Sequence, residues 1–215
     1  MKEKLTSQQY LDFQSTFDHL NAELFDGNLP QALITLQRHA KARGYFAPER
    51  FHARGGKERV HEIALNPDTF CDETDERILS TLAHEMAHLW QQVHGKPPRR
   101  CYHNKEWATK MKEIGLQPTT TGAPGGKETG QSVTHFVIRD GRYARAYAKL
   151  KAKGIRLKWA SPAPMAAEAK AKAESKTKYT CPECGQNAWA KPDAALICGA
   201  CFEDDPRDPQ LMLAN

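Results

Sequence analysis

No stretch of this 215-residue chain is apolar for long enough to cross a membrane, and its first residues, MKEKLTSQQY, lack the hydrophobic core of a signal peptide. Both absences argue against membrane and exported proteins and lead us to expect a cytoplasmic protein, with association to the nucleoid as a second address. Nor is there an internal repeat. Cysteine is sparse: of six residues, four form two C-x-x-C pairs, a pattern that in an intracellular protein favours zinc over disulfides. Cys71 and Cys101 are left over and are expected as free thiols. What is present, 40% hydrophobic and 27% charged residues, describes a soluble globular protein with one core and material for a small extra module.

The formal charge of +5 conceals an asymmetry. From Arg139 to Lys178 there are 12 Lys/Arg against 3 Asp/Glu, a local +9, so the rest of the chain carries −4. A basic segment on an otherwise acidic protein points to an anionic partner.

Apolar spacing outlines the elements. Tyr10, Phe13, Phe17, Leu20 and Leu24 recur at helical steps, Thr6 or Ser7 can cap the start, and Asp26-Gly27 ends the run. Short extended runs at 33–36, around Tyr45-Phe46 and at 61–65 should pair into one small twisted sheet, closed by Asn66-Pro67. A second helix, capped by Asp72 or Thr74, turns Ile78, Leu79, Leu82, Met86, Leu89 and Val93 inward, and Gly95 with Pro97-Pro98 stops it. A third runs from about Asn104 to Ile114, with Gly115 as a left-handed cap. Residues 117–131 read as a mobile loop, 133–138 as a strand, Tyr143 to Leu150 as a basic helix ending at Gly154, and 155–159 as a final strand.

Within the second helix, residues 84–88 read His-Glu-Met-Ala-His. Histidines four apart share a helix face, about 6 Å apart at the backbone, so His84 and His88 can bind one ion while Glu85 acts as a general base. An ordinary helix produces the same five residues often enough that a third ligand has to decide the matter. A catalytic zinc keeps three protein ligands and leaves a fourth position to water. His94 and His103 compete for the third place. His94 completes the spacing found in metzincins, but those have glycine where this chain has Gln91, and on a continuing helix His94 lies about 9 Å along the axis from His88. His103 follows a glycine-proline reversal and faces back, and is the better candidate. For an oxyanion-stabilising group Tyr102, His135 and Tyr143 are available, and none is assigned.

The strings TLAHEMAHLWQQVHG, YHNKEW, IGLQP and KETGQ, with FDHLNAELFDGNLP and GYFAPERF upstream, resemble the SprT-like metallopeptidase domain over roughly residues 10 to 160. That family includes the eukaryotic DNA-dependent protease Spartan and bacterial SprT proteins. The resemblance implies that His84, His88 and His103 bind zinc, that Glu85 is the general base, and that the substrates are proteins bound or crosslinked to DNA.

Further on, Cys181-Pro-Glu-Cys184 and Cys198-Gly-Ala-Cys201 can close a tetrahedral four-cysteine shell around a structural zinc, whose binding would supply the folding free energy of so small a module. Trp189 and Leu196 are expected around it. Nucleic acid, single-stranded or damaged DNA in particular, would be met mainly by Arg139, Arg142, Arg145, Lys149, Lys151, Lys153, Arg156 and Lys158, with Tyr143, Tyr147 and Trp159 for stacking; a solvated helix face with buried aromatics is the plainer alternative. Gly122 to Lys127 is one residue short of a phosphate loop and is read as a flexible loop.

The expected fold class is therefore α+β: a small twisted sheet packed on helices carrying the HExxH site, plus a C-terminal zinc ribbon built on four cysteines. The expected division is a metallopeptidase domain at 1–159, a linker at 160–178, the ribbon at 179–203 and an acidic tail at 204–215. The expected function is a zinc-dependent metallopeptidase with no membrane partner. The alternative is a nucleic-acid-binding adaptor whose zinc sites are structural.

Overall fold

A computed structural model describes residues 4–99, 101–161 and 176–214. The chain divides into two compact units, Met1–Ala163 and Pro164–Asn215, and the architecture is mixed α+β with small sheets. Most of the expected linker lies outside the described residues.

The first unit begins with α1 (Leu5–Phe25), whose Phe13, Phe17, Leu20 and Leu24 are fully buried, while Tyr10 faces outward. Thr6 and Ser7 lie inside its first turn instead of capping it; the cap position is Lys4, which makes no side-chain cap bond. The helix ends as expected in left-handed backbone, φ 56° at Asp26 and 73° at Gly27. Asn21 then pins the returning chain, accepting from the Leu29 N–H and donating to its carbonyl, both at 3.1 Å.

Three strands form one sheet in the order β1-β3-β2. β3 (Arg59–Leu65) is central, parallel to β1 (Leu33–Leu36) and antiparallel to β2 (Gly44–His52). Its Ile63, Ala64 and Leu65 are fully buried. A register shift between Ala47 and Phe51 coincides with Glu49 at φ 49°, whose N–H donates to His61 Nδ1.

Helix α2 (Asp75–His94) is capped by Thr74, which accepts from the Arg77 N–H. It buries Ile78, Leu82, Met86 and Leu89 in the core shared with α1 and the sheet, and Leu79 is buried as well; Val93 instead lies exposed on the last turn, beyond the core. α3 (Lys105–Glu113) is capped by Asn104, which accepts from the Trp107 N–H. Part of the expected 117–131 loop is a strand: β4 (Leu116–Thr119) pairs antiparallel with β5 (Thr134–Val137). Pro118 hid it, yet a proline is tolerated because β4 has one partner in a two-stranded sheet and one side needs no donor.

α4 (Arg142–Ala152) packs on α1 through buried Tyr143, Ala146 and Leu150. Its charges help: Arg142 donates to the Glu23 carbonyl and reaches Asp26 and Glu113, and Lys149 pairs with Glu23 at 2.8 Å. The expected strand at 155–159 forms no ladder among the described residues. Leu157 packs on the core there, so the apolar spacing reports side-chain burial and not strand pairing.

In the second unit β6 (Thr177–Thr180) lies between β7 (Asn187–Ala190) and β8 (Leu213–Ala214), with α5 (Gly199–Asp204) in the connection. The expected acidic tail returns to the module: Met212 is buried, its N–H donates to the Leu196 carbonyl, and Leu213 pairs with Thr180. Its terminal apolar residues complete a core too small to close without them. Trp189, expected inside, is exposed.

Gly115 carries the sharpest steric demand. Its φ is 91°, and a Cβ there would sit 2.7 Å from the backbone nitrogen of Arg142 and 2.8 Å from that of Tyr143. Gly115→Ala should therefore lower stability by about 2 kcal/mol or more, from the left-handed backbone plus the backbone clash. Gly27→Ala, at φ 73° in open space, should cost only about 1 kcal/mol. Urea unfolding of both variants checks this; equal losses would mean that the α4 start yields freely.

Candidate metal centre

Helical periodicity places Ser80, His84 and His88 on one face of α2. The third histidine arrives through two clamps. Gln91 Nε2 donates to Asn104 Oδ1 at 2.8 Å and to Glu106 Oε2 at 2.6 Å, tying the end of α2 to the start of α3. His103 also exchanges backbone hydrogen bonds with Gly130 in both directions, and its Nδ1 donates to the Gly130 carbonyl at 3.2 Å. Gln91 thus helps to fix His103, in the position where a metzincin helix would break.

One ligand nitrogen each from His84, His88 and His103 lies within 4.8 Å of the others. Nitrogens bound to one zinc at about 2.1 Å would sit about 3.4 Å apart, so a small side-chain adjustment suffices. His94 takes no part: it is exposed, and its Nε2 donates to the Asn28 carbonyl at 3.0 Å. Trp107, fully buried, forms the floor, stacked on His88 and edge-on to His84 and His103, with centroids 5.0, 4.8 and 4.4 Å away.

Electrostatics favour cation binding. Burial drives His84 well below the usual imidazole range, with further help from the neighbouring histidines. Burial also lowers His88 to about 3 and depresses His103, so the three rings offer lone pairs. Glu85 is 5% exposed and packs beside the start of β2. Burial lifts its carboxyl to about 8, opposed by a hydrogen bond from the Phe46 backbone.

His135 enters the site from β5, in a role the sequence reading missed. It lies 3.1 Å from His84, Nδ1 to Nδ1, and 2.8 Å from Ser80 Oγ through Nε2. Both ring nitrogens are engaged and the residue is 3% exposed, which removes it as a group for a substrate oxyanion. Tyr143 is removed likewise, being fully buried with its hydroxyl donating to the Glu76 carbonyl. The available signal was strand alternation, which puts His135 on the inward side with Val133 and Val137.

In the second unit one Sγ each from Cys181, Cys184, Cys198 and Cys201 lies within 4.8 Å of the others. Cys181 and Cys201 are 3.8 Å apart and Cys184 and Cys198 3.5 Å, close to the separation of about 3.8 Å around a tetrahedral zinc. This cluster fits a zinc ribbon. Cys71 and Cys101 carry free thiols and are exposed.

A model of the SprT-like family matches residues 13–129, more than half of the chain, and the chain belongs to that metallopeptidase-like family. The match spans all three converging histidines and Glu85 and stops before β5, α4 and the cysteine cluster. A Salmonella typhimurium protein described as uncharacterized, in the mucB 3′ region, is 40% identical over 58 residues, which cover 27% of this chain and 78% of that protein. No solved structure matches.

Burial of the imidazoles and of Glu85 gives the metal-free protein a definite pH response. The histidines' folded pKa values lie below the unfolded value of 6.5, so the stability they permit is present above pH 6.5 and lost as pH falls below it. Glu85 is shifted the other way, from 4.5 to about 8, so its contribution is present below 4.5 and lost as pH rises towards 8. The imidazoles outnumber it, so in chelator the urea midpoint should peak near about pH 6.5 and fall on both sides. Glu85→Gln should flatten the alkaline limb and steepen the acid limb between about pH 4.5 and 6.5; an unchanged alkaline limb would place the Glu85 carboxyl in water.

Proposed function

We propose that this protein is a zinc-dependent peptidase, with His84, His88 and His103 as metal ligands, Glu85 as general base, and a second zinc, held by four cysteines, stabilising the C-terminal module. The observation that carries the reading is the convergence of three imidazoles kept neutral by burial, with buried Glu85 next to His84 on α2 and no fourth residue in the histidine group among the described residues. Three ligands leave room for chemistry, whereas a purely structural site closes its shell. Zinc held there would supply a Lewis acid that polarises a scissile carbonyl and acidifies water.

The protein's own residues do the rest. A nearby cation favours ionised Glu85, and its carboxylate accepts a proton from the attacking water and returns it to the departing amine. A pKa near neutrality suits both transfers. The Trp107 floor and the surrounding burial exclude bulk water from the ligand side and keep the imidazoles unprotonated.

For the substrates we propose proteins associated with nucleic acid, in line with the family. Arg139, Lys151 and Arg156 are the support within the basic segment: Arg142 and Lys149 are committed to α1, and buried Tyr143 cannot stack on a base. An adaptor without hydrolysis would keep the same basic surface, so activity has to separate the two.

With a single-stranded-DNA-bound protein as substrate, Glu85→Gln should reduce cleavage by about 100-fold or more with zinc content unchanged. Arg139→Ala/Lys151→Ala/Arg156→Ala should weaken DNA binding and flatten its salt dependence, whose log-log slope is about −0.7 per phosphate contact on single strands. DNA binding with no Glu85-dependent cleavage would establish the adaptor; cleavage indifferent to DNA would leave a general peptidase.

A further inference from the structure

His84 can serve as a ligand through Nε2 only if its proton sits on Nδ1, and the residues behind it determine where that proton goes. Ser80 Oγ donates to the Arg77 carbonyl at 2.7 Å, one turn back on α2. A hydroxyl has a single proton, so towards His135 Nε2, at 2.8 Å, Ser80 can only accept. His135 therefore carries its proton on Nε2. A second proton would place an imidazolium in a buried site where, among the described residues, its ring nitrogens meet His84 and a hydroxyl and no carboxylate. Its Nδ1 is thus an acceptor, and the 3.1 Å contact requires His84 to donate from Nδ1. The His84 Nε2 lone pair is what remains for a metal.

We propose that His135, backed by Ser80, is a positioning residue that fixes the tautomer and ring orientation of His84 for metal binding. The inference rests on the assignment of His84 as a ligand and extends it with a directed chain, Arg77 carbonyl, Ser80, His135, His84. Arg77 also holds the strand end of that chain by donating to the His135 carbonyl. His103 is oriented by the same logic on the opposite side: its Nδ1 donates to the Gly130 carbonyl, leaving Nε2 free. A partner that orients a ligating imidazole typically contributes about 10- to 100-fold in metal affinity. The family match ends at residue 129, so Arg77, Ser80 and His84 lie inside it and His135 beyond it.

The test uses the full chain with zinc alone. In wild-type protein with labelled imidazoles, long-range nitrogen–proton correlation should show the His84 proton on Nδ1 and a metal-shifted Nε2. Chelator competition should show His135→Phe weakening the histidine-site zinc by about 10- to 100-fold, while His135→Asn, whose carbonyl oxygen can replace the Nδ1 acceptor, stays within about threefold. Ser80→Ala, a milder change inside α2, should leave α2 amide protection intact and yet raise the population of the other His84 tautomer in the metal-free protein. Wild-type zinc bound through His84 Nε2 with His135→Phe unaffected would overturn the positioning role alone. No zinc at the histidines of the wild type would overturn both this role and the peptidase reading.

Discussion

Burying ionisable groups without a charged partner is expensive, and the first unit buries His84, Glu85 and His135 at 8, 5 and 3% exposure, the two imidazoles in contact and Glu85 next to His84 on α2. Each imidazole responds by staying neutral and the carboxyl by holding its proton, as the directions of their shifts record. The surrounding structure supplies hydrogen bonds that suit neutral rings: a carbonyl for His103, an imidazole for His84, a hydroxyl for His135. A divalent cation would satisfy the remaining lone pairs and turn the same burial to advantage, because a charge on the carboxylate would then have a partner.

Much of the architecture follows from that requirement. α2 has to be covered on several sides, and α1, the three-stranded sheet and α3 cover it with fully buried side chains. The β4-β5 pair carries His135 to His84, and the Gly130 bridge holds the loop before β5 against His103. Even Gly115, between α3 and β4, is set by the close approach of the α4 start. The basic residues of α4 that face α1 hold this scaffold together, so only part of the local positive charge remains for a partner.

The grouping of the candidate ligands was more legible in the sequence than the packing. His84, Glu85 and His88 are adjacent on one helix, and His103 follows a visible chain reversal, so periodicity and turn signals bring them together without tertiary knowledge. The C-x-x-C pairs are similarly self-contained. His135 was legible only as an inward strand position, because its partners lie 51 and 55 residues away and its pairing strand is interrupted by Pro118. Tyr143 and Arg142 read as a nucleic-acid face because helical spacing shows that residues share a side but not what that side meets. The returning tail and the 155–159 segment, which forms no strand ladder among the described residues, were misread for the same reason: a short apolar run reports burial, and its partner is decided by the rest of the fold.

The central claim is that one metal site is built from three imidazoles with a coordination position left open. The most direct measurement is a crystal structure of the zinc-loaded protein with anomalous scattering recorded on both sides of the zinc edge. The account predicts one zinc peak with His84, His88 and His103 as its only protein ligands, at about 2.1 Å, and a second among Cys181, Cys184, Cys198 and Cys201. A fourth protein side chain closing the histidine shell, or a zinc bound by His94 in place of His103, would contradict it.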